Sequence, residues 1–215
     1  MSAHAVSGHD ATWRYATAET FEPEPIARAR ATSHELGIEP IDPAIGAQIA
    51  LLAAASDALN LVELGTGAGV SGLWLLRGAS RGILTTIDVE AEHVHAARAA
   101  FAEAKIPPAR ARLITGRAAE VLPRMNESAY DIVLVDADPA RVLEDVEHAL
   151  RLVRVGGTVL VPRALQGTRV ADPVARDDAT TAFRELIQAT RESQAVLAAL
   201  SIVGDGLLQL TKLTD

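Results

Sequence analysis

Asn60 to Trp74 reads NLVELGTGAGVSGLW, an apolar run that ends in four glycines over eight residues and continues into a helix-compatible apolar segment. A chain patterned this way leaves a strand, turns tightly and enters a helix, the geometry that offers free backbone N–H groups to a phosphate or carboxylate. Two registers of the loop are open. Gly67, Gly69 and Gly72 satisfy the dinucleotide pattern G-x-G-x-x-G, and Asp88 lies about twenty residues on, where a ribose-binding acid is expected. Shifted two residues back, Glu63-Leu-Gly65-Thr-Gly67-Ala-Gly69 is the loop of a different nucleotide-like cofactor. The glycines imply a ligand and leave its identity open.

The pattern alternates on both sides of this stretch. Upstream, a helix is expected from about Glu24 to Leu36. Asp42-Pro43 then supplies an N-cap with proline at the first helical position, and Ile45, Ile49 and Leu52 recur at helical spacing in a second helix ending near Asp57. Downstream come a helix from Val70, strand ILTTI, helix EAEHVHAARAAFAEA, strand ARLIT, a helix around Ala118 to Met125, strand YDIVLVD, helix ARVLEDVEHALRLV and strand GTVLVP. Successive β-α units demand parallel pairing through right-handed crossovers. After a helix near Asp178 to Glu192, VLAALSIVGDGLLQLTKL holds two strand-like runs around Gly204-Asp205-Gly206, a hairpin signal. The expected fold is α/β: a Rossmann-like, doubly wound, mostly parallel seven-stranded sheet ending in an antiparallel hairpin, with helices on both faces. Residues 1–22, polar and without clear period, read as a mobile N-terminal arm or lid, and 23–215 as one domain. Trp13, Tyr15 and Phe21 place aromatics in that arm and favour a lid over a substrate.

Composition excludes several classes. With 215 residues, nearly half of them apolar, the chain can bury a sizeable core without disulfides or structural metal. A formal charge of -8 and the lack of any Lys/Arg-rich run exclude nucleic acid as a partner. The absence of cysteine rules out thiolate metal sites and a cysteine nucleophile. No run reaches the roughly eighteen apolar residues of a membrane span, and the N-terminus lacks the basic start and apolar core of a signal peptide. The expectation is a soluble cytoplasmic protein with no membrane partner.

Ligands of open parallel sheets bind beyond the carboxyl ends of the strands. That rule singles out Glu63 to Gly69, Asp88, Gly116 to Ala119, Asp136 to Pro139 and Pro162-Arg163. Glu63 lies inside a strand where a dinucleotide domain prefers an apolar residue, because a buried carboxylate is costly unless partnered. A second feature is YDIVLVDADPARVLEDVEHALRLVRVGGTVLVPRAL, an acidic strand end followed by a helix and a Gly-Gly turn. With Glu63 and the terminal hairpin, it resembles the class I S-adenosylmethionine-dependent methyltransferases, specifically the catechol/caffeoyl-CoA type of O-methyltransferase. The resemblance runs from about Glu24 to the C-terminus.

That resemblance implies S-adenosyl-L-methionine as cofactor and a small, phenolic or catechol-like acceptor. Glu63, Gly65, Gly69 and Ser71 match the family's E-x-G-x-x-x-G-x-S, with Gly67 inside the same loop, and would hold the methionine part. Asp88 matches the acid that grips both ribose hydroxyls, Gly116 and Ala118 the segment against the adenine, and Asp136 the cofactor-side aspartate. A homodimer through the N-terminal helices and the terminal sheet region is implied as well.

The sequence also departs from the family. Metal-dependent members read DADK after the fourth strand and DN-V-L-W-x-G-R-V-A-D-P after the fifth. Here Asp136-Ala-Asp138-Pro139 lacks the lysine base, and Pro162-Arg163 replaces the Asp-Asn metal pair, with Arg169-Val-Ala-Asp172-Pro173 fixing the alignment. Proline offers no side-chain oxygen and arginine repels a cation, so a standard divalent-metal site is not expected. Gln166 stands in place of the family's aromatic neighbour of the acceptor. The catalytic expectation is Arg163 as the cationic group beside the acceptor oxygen, with Asp138 or a water on Asp136 as proton acceptor. A plain Asp136–Arg163 ion pair is the alternative. His93 and His95, two apart on a helix, point to different sides and read as surface residues, as does His148; His4 and His9 lie in the arm. Two other functions stay open: a nicotinamide-dependent oxidoreductase, which would lack a Tyr-x-x-x-Lys pair here, and a catalytically degenerate S-adenosylmethionine-binding protein.

Overall fold

The computed structural model describes residues 8–214, without the side chains of residues 8–10, 13 and 16. The chain runs α1 (Gly8–Ala18), α2 (Glu24–Glu35), α3 (Pro43–Ala55), β1 (Asn60–Leu64), α4 (Val70–Gly78), β2 (Ile83–Asp88), α5 (Ala91–Glu103), β3 (Ala111–Thr115), α6 (Ala118–Val121), β4 (Tyr130–Val135), α7 (Val142–Leu152), β5 (Val153–Pro162), α8 (Asp178–Glu192), β6 (Val196–Ser201) and β7 (Leu207–Lys212). The sheet order is β3-β2-β1-β4-β5-β7-β6. β1 to β5 pair in parallel, while β7 runs antiparallel to both β5 and β6. The seven-stranded, doubly wound sheet with its antiparallel end is the one expected from the sequence.

Strand alternation divides the core into two layers. Leu61, Leu84, Ile132, Leu134 and Leu160 face α3, α4 and α5, whereas Val62, Leu64, Val133, Val135 and Val159 face α7 and α8. Because both faces are covered, β1 and β4 are near-continuous apolar runs, as central parallel strands require. The register puts Glu63 on the α4/α5 side, an acid in an otherwise apolar row. At the amino ends, the Asp131 carboxylate accepts from Leu59 N and Asn60 N (2.8 and 2.9 Å) and from Arg154 Nε (2.8 Å), tying β1, β4 and β5 together. No helix among the described residues is long and apolar enough to cross a membrane.

The α3 cap is as expected: Asp42 Oδ1 accepts from Ala44 N at 2.8 Å, with Pro43 opening the helix. Two segments differ. The helix expected from Ala118 to Met125 stops at Val121 and continues as a 3-10 turn over Leu122–Arg124, because Pro123 has no N–H to donate. Residues 8–18, expected to belong to an aperiodic arm, form helix α1, whose described side chains are exposed or half-buried. His4 lies outside the described residues, as do the side chains of His9 and Trp13; Tyr15 and Phe21 are 68% and 75% exposed.

Candidate active site

At the carboxyl ends of β1 to β5 a cavity of about 780 Å³ opens. Gly65, Gly67, Ser71, Asp88, Gly116, Ala118, Asp136, Asp138 and Arg163 all line it, so the structure gathers nearly every residue singled out from the sequence. Glu63 and Gly69 stand behind the wall. Gly69 has φ +92°, and a Cβ there would lie 3.2 Å from Ala97 Cα and 3.0 Å from Phe101, so this glycine seats α4 on α5. Gly65, at φ +88°, lets the chain leaving β1 pass close to the end of β4: a Cβ would meet the Asp136 carbonyl at 2.0 Å.

Glu63 is fully buried. Its Oε2 accepts from Thr86 Oγ1 at 2.6 Å, and Thr86 Oγ1 lies 2.6 Å from Thr66 Oγ1 on the cavity wall. Once Thr86 gives its single proton to the carboxylate, Thr66 must be the donor in the second bond, so a one-directional chain of hydroxyls leads from the core to the cavity. Oε1 has no partner of hydrogen-bond geometry among the described residues. Burial drives the Glu63 pKa up to about 7, against the Ser71 and Thr86 hydroxyls, which pull it down; the negative charges of Asp136 and Asp88 add to the rise.

Asp88 ends β2 with its carboxylate turned to the loop. Oδ2 accepts from Gly67 N and Oδ1 from Glu90 N, both at 2.9 Å, and His93 Nδ1 lies 3.3 Å from Oδ1. The acid therefore fixes the glycine loop and still borders the cavity. His93 is not the surface residue expected from its spacing: it is half-buried, on the cavity-facing side of α5, while His95 is exposed. Its place one turn into the helix after Asp88 is the signal that could have found it.

Asp136 and Arg163 form the other end. Arg163 Nε donates to Oδ1 at 2.8 Å and Nη2 to Oδ2 at 2.9 Å, a bidentate pair, and Nη2 also reaches the Glu39 carbonyl at 2.8 Å. Arg163 adopts φ +57°, which turns its side chain back over the sheet end from the residue after β5. Burial pushes its pKa down, but the Asp136 charge and hydrogen bonds outweigh that and hold it above the ordinary guanidinium value. The alternative of an Asp136–Arg163 ion pair is thus realised. Asp138 lines the cavity from an exposed turn, with Oδ1 accepting from Ala140 N at 3.0 Å; Gln166 Nε2 donates to the Arg163 carbonyl at 2.9 Å and does not line the cavity.

Sequence reasoning missed two wall elements. The segment from Ile38 to Ile41 closes one side and is tied down by the Arg163–Glu39 bond; it carries no motif. Asp145 also lines the cavity, although it is 2% exposed, and its Oδ1 has no hydrogen-bond partner among the described residues. It falls in the buried stripe Val142, Asp145, Val146, Ala149, Leu152 of α7, and an acid inside an apolar helical stripe is a signal that the sequence itself carries.

A parallel sheet with a glycine loop after its first strand and a cavity across the strand ends defines a nucleotide-cofactor enzyme of the doubly wound class. Residues 62–161 match a methyltransferase domain family. A probable O-methyltransferase of Mycobacterium tuberculosis H37Rv is 45% identical over 205 residues, 95% of this chain and 92% of its own length. A Corynebacterium glutamicum protein is similar in structure (TM-score 0.88, 29% identity, 97% and 99% of the two chains). So is the O-methyltransferase TomG of Streptomyces achromogenes, involved in tomaymycin synthesis and solved in complex with S-adenosylmethionine (TM-score 0.83, 25% identity, 95% and 96%). The chain belongs to the O-methyltransferase family, as the Glu63 loop and the Asp136 strand end led us to expect. The dinucleotide register of the loop is set aside with it.

Proposed function

We propose that this chain transfers a methyl group from S-adenosyl-L-methionine to a hydroxyl of a small, phenolic or catechol-like acceptor, without a divalent metal, and works as a homodimer. The observation that carries this reading is the single cavity joining the Gly65–Ser71 loop, Asp88, Gly116 and Ala118 on one side to Asp136, Asp138 and Arg163 on the other. The cavity fits the cofactor. Carboxylates outnumber guanidiniums along its wall, which suits a cationic ligand, and Gly67 leaves open space, a Cβ there meeting only Ile38 at 3.6 Å. Bound S-adenosylmethionine supplies an electrophilic methyl group on a sulfonium.

The protein's own part is alignment and proton removal. The Gly67–Asp88 bond holds the loop, and Asp88, Gly116 and Ala118 stand where ribose and adenine contacts would fall. Both Asp136 oxygens are taken by Arg163, and Pro162 has no side-chain ligand atom, so an internal cation would stand in for the metal of the resembling enzymes. Paired to Asp136, Arg163 brings little net charge; with Nε and Nη2 engaged, Nη1 is the group left to donate to an acceptor oxygen. Asp138 Oδ2 would take the acceptor's proton, since Oδ1 is occupied by Ala140 N.

The test is methyl transfer to a catechol or trihydroxyphenyl acceptor, with and without EDTA, in the parent and in Arg163→Ala. Activity that survives the chelator and falls in the variant supports the reading. Loss of activity with EDTA and rescue by magnesium would overturn the metal-free mechanism, and failure to bind S-adenosylhomocysteine would overturn the cofactor.

A further inference from the structure

Asp145 is the buried charge that the proposed chemistry leaves unused. It lies in the first turn of α7, three residues after Val142 and four before Ala149, so helical geometry points it inward with both of them. That stripe packs on the apolar cluster that includes Leu122, Ala118 and Val121, the residues that follow β3. α7 and the residues after β3 therefore cover the same face of the sheet, and Asp145 and Ala118 both line the cavity. Arg141, Glu144, His148 and Asp138 act on its charge through space, and Arg141 is itself engaged with Glu144. Oδ1 is buried without any hydrogen-bond partner among the described residues.

A carboxylate in an apolar helix stripe loses hydration on folding, and here Oδ1 regains no hydrogen bond from the described residues, only the through-space attraction of Arg141 and His148. Alanine or leucine at this position would pack the stripe without that loss. An acceptor held largely dry at a cavity wall is, however, well suited to a ligand that brings N–H donors to it, because much of its desolvation has already occurred when the ligand arrives. The donors available on S-adenosylmethionine are the α-amino group and the 6-amino group of adenine. The first belongs to the end at Ser71 and the second to the end at Gly116 and Ala118, and Ala118 packs on the apolar cluster that carries the Asp145 stripe.

We propose that Asp145 accepts a hydrogen bond from the 6-amino group of the cofactor's adenine and so selects a 6-aminopurine over a 6-oxopurine. This rests on the cofactor reading above. A 6-oxo group would set an acceptor against the carboxylate and leave both unpaired, so the preference comes from repulsion as much as from attraction.

The experiment is calorimetric titration of the full chain with S-adenosylhomocysteine and with its 6-oxo analogue, S-inosylhomocysteine, in the parent, Asp145→Ala and Asp145→Asn, alongside the melting temperature of each free protein. Expected are a tenfold or larger preference for the amino compound in the parent, its collapse toward equality in Asp145→Ala, and a narrowed preference in Asp145→Asn, whose amide can donate to the 6-oxo group. The ligand-free Asp145→Ala protein should melt no lower than the parent, since it loses an unpartnered buried charge. Equal affinities for the two compounds in the parent, or a preference that survives in Asp145→Ala, would overturn the assignment while leaving the cofactor in place. A parent that binds neither compound would overturn the cofactor reading and this inference together. An Asp145→Ala protein that melts well below the parent and loses both affinities in equal measure would show a structural role and overturn it as well.

Discussion

Replacing Glu63 by glutamine should stabilise the protein, and by an amount that depends on pH. The side chain is wholly buried, one oxygen accepts from Thr86, the other has no partner of hydrogen-bond geometry among the described residues, and the Ser71 hydroxyl also favours the charged form. Its pKa rises from 4.5 to about 7, mainly through burial. The unfolded chain thus releases this proton before the folded chain does. The sign follows from linkage: between the two values the folded state holds more protons than the unfolded one, so stability falls as pH rises and levels off above about 7. A difference of about 2.5 units at about 1.4 kcal/mol per unit gives about 3 kcal/mol at pH 8, about 1 kcal/mol at pH 5, and almost none at pH 4. Glutamine stays neutral throughout and its carbonyl can still accept from Thr86. Glu63→Gln should therefore gain on the parent progressively from pH 4 to pH 8. For a domain of this size the gain corresponds to roughly 6–12 °C in melting temperature at pH 8. Calorimetry or urea denaturation at several pH values, parent and variant side by side, reads it directly. A difference that stays constant across pH, or a variant less stable than the parent at pH 8, would refute the account of Glu63 as a buried acid held at the expense of stability.

Other outcomes follow from the same geometry. Asp88→Ala removes the acceptor of Gly67 N and Glu90 N together with the carboxylate we propose for the ribose, and should weaken S-adenosylhomocysteine by about 1.5–3 kcal/mol, roughly 10- to 150-fold, by calorimetric titration; unchanged affinity would count against that role. Arg163→Ala leaves the half-buried Asp136 without its bidentate partner and should lower unfolding free energy by about 2 kcal/mol at neutral pH, measured by denaturant titration, whereas Arg163→Lys should retain part of it. The outer strand β6 has Leu197 and Leu200 exposed at 65% and 40%, an apolar edge that suits pairing with a second copy. Light scattering at micromolar concentration should give a dimer mass, and Leu197→Lys should shift it toward monomer.

What the sequence makes legible depends on where each signal originates. The β-α alternation can be read because a sheet covered on both faces makes its strands unbroken apolar runs, and because Gly65, Asp42-Pro43 and Gly204 punctuate the chain. Helix α1 cannot: its described side chains are exposed or half-buried, so no apolar period exists to be read. Site residues at strand ends are legible because the topology itself puts them there. The wall formed by Ile38 to Ile41 is not, because it lies between two helices and owes its place to one bond from Arg163, 124 residues later in the chain. Asp145 is a different case. The apolar stripe that contains it is visible in the sequence, but the rule that ligands gather at strand ends does not reach a residue one turn inside the following helix.

Three acids stand at or behind the cavity wall, Glu63 and Asp145 buried and Asp136 half-buried, and the structure treats each differently. Asp136 has a bidentate arginine; Glu63 has the Thr86 hydroxyl chain, the Ser71 hydroxyl nearby and an Oε1 without a partner of hydrogen-bond geometry; Asp145 has an unpartnered Oδ1 and charges acting through space. If all three served the fold alone, removing any of them would either break a pair or be neutral. The arrangement implies opposite signs. Disrupting the Asp136 pair from the Arg163 side should destabilise the free protein, because a partnered ion is left alone, whereas neutralising Glu63 or Asp145 should stabilise it, because a buried charge without a counter-ion in contact is removed. Where stability rises and ligand affinity falls in one variant, the carboxylate is kept for the ligand. That joint measurement distinguishes a site built around a bound cofactor from a loop that merely retains its shape, which is the question raised by the loss of the metal ligands.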